Sequence, residues 1–425
     1  MIKNFKIAII GLGYVGLPLA VQFAKKYDVI GFDVNHKRIS QLRKGLDKTN
    51  ELSNSDIINV SNSLTFTSND SDLKFANFYI VTVPTPINQR KQPDLTSIKS
   101  VSKMLGGVLK KGDFVVFEST VYPGVTRDIC VPIIEKISKM SLNKDFYVGY
   151  SPERINPGDK KHKVSDIVKV VSGSNKFSLN IISKIYTSVI TAGIHRASSI
   201  EVAEAAKVIE NTQRDLNIAL ANELSIIFNK IGIDTKEVIE AASTKWNFSP
   251  YYPGLVGGHC IGVDPYYLTY KSKQVGHNPR VILSGRSLND NMPRQIISSL
   301  TKALKLKDKP ILNSRILILG YTFKENCPDI RNTKVHDVVK ILQKKNADIT
   351  LFDPLINKSD LKDIFKNILI TRLPKKSFFD AVLLCVPHDE FKKMGSKRIR
   401  SFLSTDGIFF DVKSLFKKNE SDLRL

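Results

Sequence analysis

Cysteine is scarce in this sequence, and its placement excludes two kinds of stabilised fold. The four cysteines, Cys130, Cys260, Cys327 and Cys385, are scattered over the 425 residues without close pairing. This spacing argues against a disulfide framework and fits a chain kept in a reducing compartment. Neither a CxxC nor an HxxxH pair occurs, so the ligand spacing typical of a structural zinc site is also missing. We therefore expect no bound metal.

Long apolar runs are absent as well, and no low-complexity tract occurs. The first residues, MIKNFKIAIIGLGYVG, combine basic and apolar stretches as a signal peptide does. Their apolar run, however, breaks at Gly11 and continues into a glycine-rich motif, so we interpret it as a first strand. Without a signal or a membrane span, we expect a cytoplasmic protein that does not associate with membranes.

Acidic residues are few relative to basic ones, with 41 Asp and Glu against 64 Lys and Arg and a net charge of +23. A surplus of this sign can mark a nucleic-acid-binding protein, because phosphate contacts are made by Lys and Arg. Here the lysines are spread along the whole chain, with only short clusters such as GDKKHK and LKLKDK. The pattern favours a solvated surface that attracts anionic ligands in general, and we expect no nucleic-acid partner.

The order of apolar segments predicts an α/β protein with two similar halves. Short β-branched runs alternate with helix-length stretches in the first 197 residues and again from residue 310, which is typical of doubly wound parallel sheets. Between them, residues 198–231 contain neither proline nor glycine. This stretch predicts one long helix, with a capping box at Ser198 and Glu201 and a C-cap at Gly232. We expect two Rossmann-like domains, 1–197 and 310–425, joined by the long helix and a small all-α domain at 198–300.

The first half carries a complete dinucleotide fingerprint. Gly11, Gly13 and Gly16 follow a predicted strand and open a predicted helix, and Asp33 ends the second strand. Such glycines allow a tight turn, close approach of a pyrophosphate and close helix–strand packing, while the carboxylate accepts hydrogen bonds from ribose hydroxyls. Asp33 would also repel a 2′-phosphate, which favours NAD over NADP. Arg38 and its neighbour Lys37 soften that preference.

Two further groups of residues could take part in catalysis, but their spacing alone does not fix a role. Lys207 and Asn211 share one face of the long helix, where they could stabilise a developing negative charge or simply face solvent. Cys260 lies in VGGHCIGVDPYYL, next to His259 and four residues before Asp264. On these residues alone it could be a buried filler, a metal ligand or a nucleophile.

Seven motifs in order make the chain resemble the UDP-glucose/GDP-mannose dehydrogenase family. They are GLGYVGLPLA, VPTP, ESTVYPG, SPERINPG, EAAKVIENT, GGHCIGVDP and TFKENCPDIRNT. The form GGHCIGVDPYYL is similar to that of the branch that acts on UDP-N-acetylhexosamines. The expected sugar is N-acetylglucosamine or N-acetylgalactosamine, and the expected pathway is bacterial surface-polysaccharide synthesis. The resemblance implies four-electron oxidation of the sugar C6 alcohol with NAD, through a cysteine thiohemiacetal and thioester. It also implies a homodimer formed through the central helical domain.

The same resemblance assigns expected roles to individual residues. Catalytic roles fall on Cys260, Lys207, Asn211, Asp264, Glu153 and Thr120. Contacts with NAD fall on Gly11, Gly13, Tyr14, Val15, Gly16, Asp33, Arg38, Thr85, Thr120 and Arg331. Contacts with the nucleotide sugar fall on Glu153, Arg154, Lys207, Asn211, Lys245, Tyr251, Tyr252, Gly254, Gly257, Lys324 and Lys413.

Three positions depart from the family's pattern. Val263 stands where the glucose branch has a lysine, and Lys245 and Lys413 align with arginines of the family, keeping the charge but not the bidentate fork. His259 is expected to shape the substrate site or support the backbone. Two alternatives stay open: a two-electron dehydrogenase of the 3-hydroxyacid type, which would not need Cys260, and a basic binding protein on an inactive Rossmann scaffold. The epimer of the hexosamine is not fixed by the sequence.

Overall fold

The computed structural model of the chain describes residues 5–154, 164–361, 363–374 and 378–425. It divides into two compact units, one formed by Met1–Glu210 and Tyr266–His277 and the other by Asn211–Pro265 and Asn278–Leu425. The predicted α/β class and its parallel sheets are confirmed.

The first unit is built on a six-stranded parallel sheet whose order is β3-β2-β1-β4-β5-β6. Its strands are β1 (Lys6–Ile10), β2 (Asp28–Phe32), β3 (Leu64–Thr67), β4 (Phe78–Val81), β5 (Asp113–Phe117) and β6 (Phe146–Tyr150). A separate two-stranded sheet pairs β7 (Lys169–Val171) with β8 (Ile194–Arg196). The helices are α1 (Gly16–Ala24), α2 (His36–Arg43), α3 (Asn54–Ile58), α4 (Thr96–Val108), α5 (Val131–Ser138) and α6 (Lys176–Thr187).

This strand order places the point where the winding direction reverses between β1 and β4. In open parallel sheets, ligands bind beyond the carboxyl ends of the strands at that point. The apolar runs that predicted β1, β2, β4, β5 and β6 are buried on both faces of the sheet, as parallel strands covered by helices require.

The predicted long helix is confirmed as α7 (Ile200–Ile231), and three more helices follow, α8 (Thr235–Ala242), α9 (Asp264–Gln274) and α10 (Arg280–Lys305). Gly232 ends α7 with a φ of +78°, as its predicted C-cap position requires. The predicted N-cap is wrong by one residue. The hydroxyl of Ser199, not Ser198, accepts a hydrogen bond from the Val202 backbone N–H at 3.2 Å.

The second unit contains a five-stranded parallel sheet with the order β10-β9-β11-β12-β13. Its strands are β9 (Arg315–Leu319), β10 (Asp348–Phe352), β11 (Phe379–Leu384), β12 (Leu403–Asp411) and β13 (Leu423–Arg424), and its helices are α11 (Val335–Lys344), α12 (Asp363–Lys366) and α13 (Asp389–Arg400). Asp353 follows β10 as Asp33 follows β2, but its carboxylate accepts hydrogen bonds from the Tyr321 and Thr322 N–H groups and contacts buried His388. The two sheets thus share a plan, while the acidic residue of the second serves the fold.

The corrected cap gives a test of the local structure. Ser199→Ala removes the side-chain acceptor for the first turn of α7 and should lower the free energy of unfolding by about 1 kcal/mol. Ser198→Ala is the matched control, because Ser198 is exposed and should change stability by less than about 0.5 kcal/mol. Chemical denaturation of both variants checks the assignment, and a larger loss for Ser198→Ala would contradict it.

Candidate active site

The glycine-rich turn between β1 and α1 is tight on one side and open on the other. A Cβ atom at Gly16 would lie 1.8 Å from the carbonyl oxygen of Gly11, and Gly11 itself has a φ of +98°. The Thr82 hydroxyl, at the end of β4, donates to the same carbonyl at 2.7 Å. At Gly13 a Cβ would meet no atom within 4 Å. Backbone N–H groups bordering open space before a helix suit the pyrophosphate of a dinucleotide.

Asp33 and Arg38 both hold the turn through Leu12. The Asp33 carboxylate accepts a hydrogen bond from the Leu12 N–H at 2.9 Å, and the Arg38 Nε donates to the Leu12 carbonyl at 3.0 Å. Arg38 also pairs with the buried carboxylate of Asp47 at 2.8 Å. Although burial disfavours the charge, hydrogen bonds from Thr49 and Arg38 keep the pKa of Asp47 below its usual value. The guanidinium is therefore neutralised within the fold, which weakens the case for its binding a 2′-phosphate.

Thr85 and Thr120 lie beside each other beyond the carboxyl ends of β4 and β5. The Thr85 hydroxyl donates to the Thr120 carbonyl at 2.6 Å. The Tyr267 hydroxyl in turn donates to the Thr85 carbonyl at 2.8 Å, so α9 supports this edge. The fold thus brings together two residues that are predicted to contact NAD. They follow β4 and β5, on the same sheet as the strand that leads into the glycine turn.

Glu153 is buried beyond β6 in an ion cluster that sequence reasoning missed. The ammonium of Lys169 lies 2.6 Å from Glu153 Oε2 and 2.6 Å from Glu118 Oε2, and the Tyr186 hydroxyl donates to Glu118. Burial, with a contribution from the charge of Glu153, raises the pKa of Glu118 to about 7. Burial opposes the charge of Lys169, but the two carboxylates raise its pKa overall.

Arg154 pairs with Glu210, and Lys207 is buried on α7. The end of the SPERINPG motif, residues 155–158, lies outside the described residues.

In the second unit, Asn211 and Asp264 meet directly. The Asn211 amide donates to Asp264 Oδ2 at 2.5 Å, and both side chains are buried. Asp264 begins α9, and its N–H donates to the Cys260 carbonyl at 2.8 Å, so the turn that carries Cys260 leads straight into that helix. A helix therefore starts four residues after the cysteine.

His259 has an acidic partner that lies 70 residues away in the sequence. Its Nε2 is 2.8 Å from Asp329 Oδ2, and the Arg331 guanidinium donates to the same carboxylate at 2.6 Å. Despite burial, these partners hold the pKa of Asp329 well below its ordinary value. Asp329 thus ties the residue before Cys260 to Arg331, a predicted NAD contact, which supports the expected structural role for His259.

Several predicted sugar-nucleotide residues line one pocket beyond β9 and β11. Its walls include Gly257, Lys324 and Lys413. Gly254 packs directly on Lys413, since a Cβ atom at Gly254 would lie 2.6 Å from the Lys413 Nζ. Burial lowers the pKa of Lys413, while the charge of Glu325 opposes the shift. Tyr251 is half-buried, whereas Tyr252 and Lys245 are exposed. None of these three residues lines this pocket.

Comparison with known proteins gives the lineage of this arrangement. Residues 5–190 match the NAD binding domain of the UDP-glucose/GDP-mannose dehydrogenase family, residues 201–291 its central domain and residues 317–418 its UDP binding domain. The chain belongs to this family. It is therefore an NAD-binding dehydrogenase, and the residues of the glycine turn fit that cofactor.

Individual relatives match over the whole length. The chain is 53% identical to the UDP-N-acetyl-D-glucosamine 6-dehydrogenase of Pseudomonas aeruginosa, with 100% of both chains covered. It is 50% identical to Protein CapL of Staphylococcus aureus, with 98% of this chain and 97% of that one covered. Among solved structures, the UDP-D-ManNAc dehydrogenase of Pyrococcus horikoshii superposes with a TM-score of 0.87 at 28% identity, over 97% of this chain and 96% of that one.

Across the part of the chain that the structure describes, none of the helices combines the length and the apolar character needed to cross a membrane.

The two sides of the glycine turn should respond differently to an added methyl group. Gly16→Ala forces a clash with the Gly11 carbonyl and should destabilise the protein by about 1–3 kcal/mol. Gly13→Ala has room, so it should leave stability within about 0.5 kcal/mol while weakening NAD binding roughly tenfold by filling the open side. Thermal unfolding and calorimetric titration with NAD measure the two effects. Unchanged NAD affinity in a folded Gly13→Ala variant would contradict the location of the pyrophosphate.

Proposed function

We propose that this protein oxidises the C6 alcohol of a UDP-N-acetylhexosamine to the carboxylate, in two successive two-electron steps. The observation that carries the proposal is the buried hydrogen bond between Asn211 and Asp264. It joins an amide that could stabilise a developing negative charge to Asp264, a residue with an expected catalytic role at the start of the helix that follows Cys260. A four-electron oxidation through a thioester uses a cysteine, an amide and a carboxylate, whereas a two-electron oxidation would not need Cys260.

UDP-N-acetylglucosamine is the substrate we favour. The full-length relatives at 53% identity carry that substrate in their names, and N-acetylgalactosamine is the second choice. For the nucleotide part, Lys324 and Lys413 supply positive charge in the pocket beyond β9 and β11. Arg154, Lys245 and the loop from Tyr251 to Gly257 are proposed to contact the sugar or its phosphates.

NAD, when bound at the glycine turn, supplies the electron acceptor for each oxidation. In the first step, Lys207 and Asn211 would hold the C6 oxygen as it loses its proton, with Asp264 and a water acting as base. Thr120 would position that water. These side chains act on charge that develops at one oxygen, so their fixed positions within buried elements favour the transition state over the alcohol.

The resulting aldehyde needs an added nucleophile before it can be oxidised again. The Cys260 thiolate would add to the C6 carbon to form a thiohemiacetal, and its oxidation gives a thioester. A water, deprotonated with the help of Glu153, would then attack the thioester carbon. The C–S bond breaks, the uronate leaves, and Cys260 regains its proton.

The count of NADH separates this function from a two-electron oxidation. Wild-type enzyme with limiting UDP-N-acetylglucosamine should release two NADH per sugar, because both oxidations use the same C6 carbon. Cys260→Ala should lose uronate formation by at least about a thousandfold, since no other group forms the thioester. Absorbance at 340 nm and chromatography of the product measure both.

Cys130→Ala is the matched control for that substitution. Cys130 is buried in the first unit, and burial raises the pKa of its thiol to about 12, so it is unsuited to nucleophilic attack. This variant should keep two NADH per sugar. One NADH per sugar from the wild type, or uronate at the normal rate from Cys260→Ala, would instead favour the two-electron alternative.

We also propose that the protein is a homodimer, acting in the cytoplasm in bacterial surface-polysaccharide synthesis. Support for the dimer comes from an exposed apolar stripe on α7. At 100° per residue its members fall within roughly 40° of each other around the helix. They are Val202, Ile209, Leu220, Ile227 and Ile231, each between 45% and 63% exposed. Such a stripe on a long helix is typical of a helix–helix interface.

Charge on the stripe should dissociate the dimer. Leu220→Glu combined with Ile227→Glu would bury two carboxylates at the interface, so we expect a monomer with the helix content of the wild type. Ile58→Glu is the control, because Ile58 is 58% exposed on α3 and should leave the dimer intact. Sedimentation velocity decides, and a monomeric wild type or a dimeric double variant would refute the interface.

A further inference from the structure

The ion cluster around Lys169 joins three segments of the first unit. Lys169 begins β7, Glu118 follows β5 and Glu153 follows β6, so three separate segments deliver these groups to one place. The Lys169 Nζ is 2.6 Å from an oxygen of each glutamate. The exposed fraction of each side chain is 7% or less.

Burial makes the ionised form of Glu118 costly, because a carboxylate removed from water is disfavoured unless it is paired. Burial raises the pKa of Glu118 to about 7, with Lys169 lowering it and Glu153 raising it. Glu118 therefore changes between acid and carboxylate in the physiological range.

Among the residues that the structure describes, three titratable groups act on Glu118. Lys169 approaches from β7, Glu153 from the segment after β6, and Tyr186 from α6. Burial and the nearby carboxylates raise the pKa of Tyr186 well above its ordinary value, so it remains a phenol that donates to Glu118. Tyr186 therefore stays uncharged at the pH at which Glu118 titrates.

Glu153 is held from both of its oxygens. Lys169 donates to Oε2, and the Arg154 backbone N–H donates to Oε1 at 2.5 Å. Both contacts favour the carboxylate, which is the form that can accept a proton. The direct contact of Lys169 with Glu118 continues the chain of hydrogen bonds away from Glu153.

We infer that Lys169 and Glu118 form a proton relay behind Glu153, which restores Glu153 as a base during thioester hydrolysis. The inference rests on the proposed function, in which Glu153 takes a proton from the attacking water. In the relay, protonated Glu153 gives that proton to Lys169 while Lys169 gives one of its own to the Glu118 carboxylate. Glu153 ends ionised, Lys169 ends as ammonium, and Glu118 ends as the acid, so charge and protons balance. Lys169 and Glu118 are positioning residues that act through Glu153.

The relay requires Glu118 to be a carboxylate when hydrolysis begins. Because its pKa is about 7, this condition is met above neutral pH and lost below it. The rate of thioester hydrolysis should therefore rise with pH through about 7 and then level off. A cluster with a purely structural role would not give the hydrolysis rate this dependence.

Glu118→Gln removes the terminal acceptor and keeps the shape of the side chain. It also keeps the ion pair between Lys169 and Glu153, so we expect a folded protein. With UDP-N-acetylglucosamine and NAD in a single turnover, hydrolysis of the acyl-enzyme should slow by roughly tenfold, within the range of proton-transfer assistance. The step near pH 7 should disappear. Rapid acid quench followed by intact-protein mass measures the acyl-enzyme at each pH.

Lys169→Arg provides an independent second variant. Arginine keeps the positive charge and both ion pairs, but it does not give up a proton in proteins. The relay predicts that this variant also hydrolyses the thioester slowly, whereas a structural ion pair would be rescued by arginine. Full hydrolysis activity in folded Lys169→Arg would overturn the relay.

Glu204→Gln is the matched control for Glu118→Gln. Burial also raises the pKa of Glu204 to about 7, but its carboxylate accepts from the Gly124 and Thr126 N–H groups. Its loss should cost stability and leave the pH step in place. A wild type that makes two NADH, beside a Glu118→Gln variant with an unaltered pH step, overturns the relay alone. A wild type that makes one NADH and no acyl-enzyme overturns the proposed function as well.

Discussion

The segment around Cys260 depends on close packing of its backbone against a neighbouring carbonyl group and an aromatic ring, which glycine permits. A Cβ at Gly257 would lie 2.6 Å from the Asn332 carbonyl oxygen, and one at Gly258 would lie 2.6 Å from the Phe323 ring. With this contact made, the pairs His259–Asp329 and Asn211–Asp264 hold the two flanks of the turn. A cysteine held in this way loses little entropy on meeting a substrate carbon, which is what a covalent catalyst requires.

The four cysteines differ in their exposure to solvent. Cys130, Cys327 and Cys385 are buried, and burial raises the thiol pKa of Cys130 and of Cys385 to about 12. Cys260 alone among the four is partly exposed. A thiol must reach the substrate and lose its proton to act as a nucleophile, and buried apolar surroundings oppose both. The geometry therefore agrees with the motif that singled out Cys260.

Local patterns were predictable from the sequence, and long-range partners were not. The glycine turn with Asp33, the buried strands and the length of α7 each depend on residues close together in the chain. Glu118 and Lys169 escaped notice because they are 51 residues apart and meet only when the strands are ordered. Likewise, His259 pairs with Asp329 and Arg38 pairs with Asp47, and no periodic sequence pattern indicates either pair. Even the α7 cap was misplaced by one residue, since Ser198 and Ser199 offer the same hydroxyl.

The central claim is that a substrate carbon becomes covalently bound to Cys260, and peptide mapping tests it most directly. The enzyme is mixed with UDP-N-acetylglucosamine and NAD, quenched in acid during turnover and digested. The mass of each cysteine-containing peptide is then measured by mass spectrometry. We expect a UDP-N-acetylhexosaminuronyl thioester on the peptide that contains Cys260, and on none of the other three cysteines. Turnover with two NADH per sugar and no adduct, or an adduct on another cysteine, would contradict it.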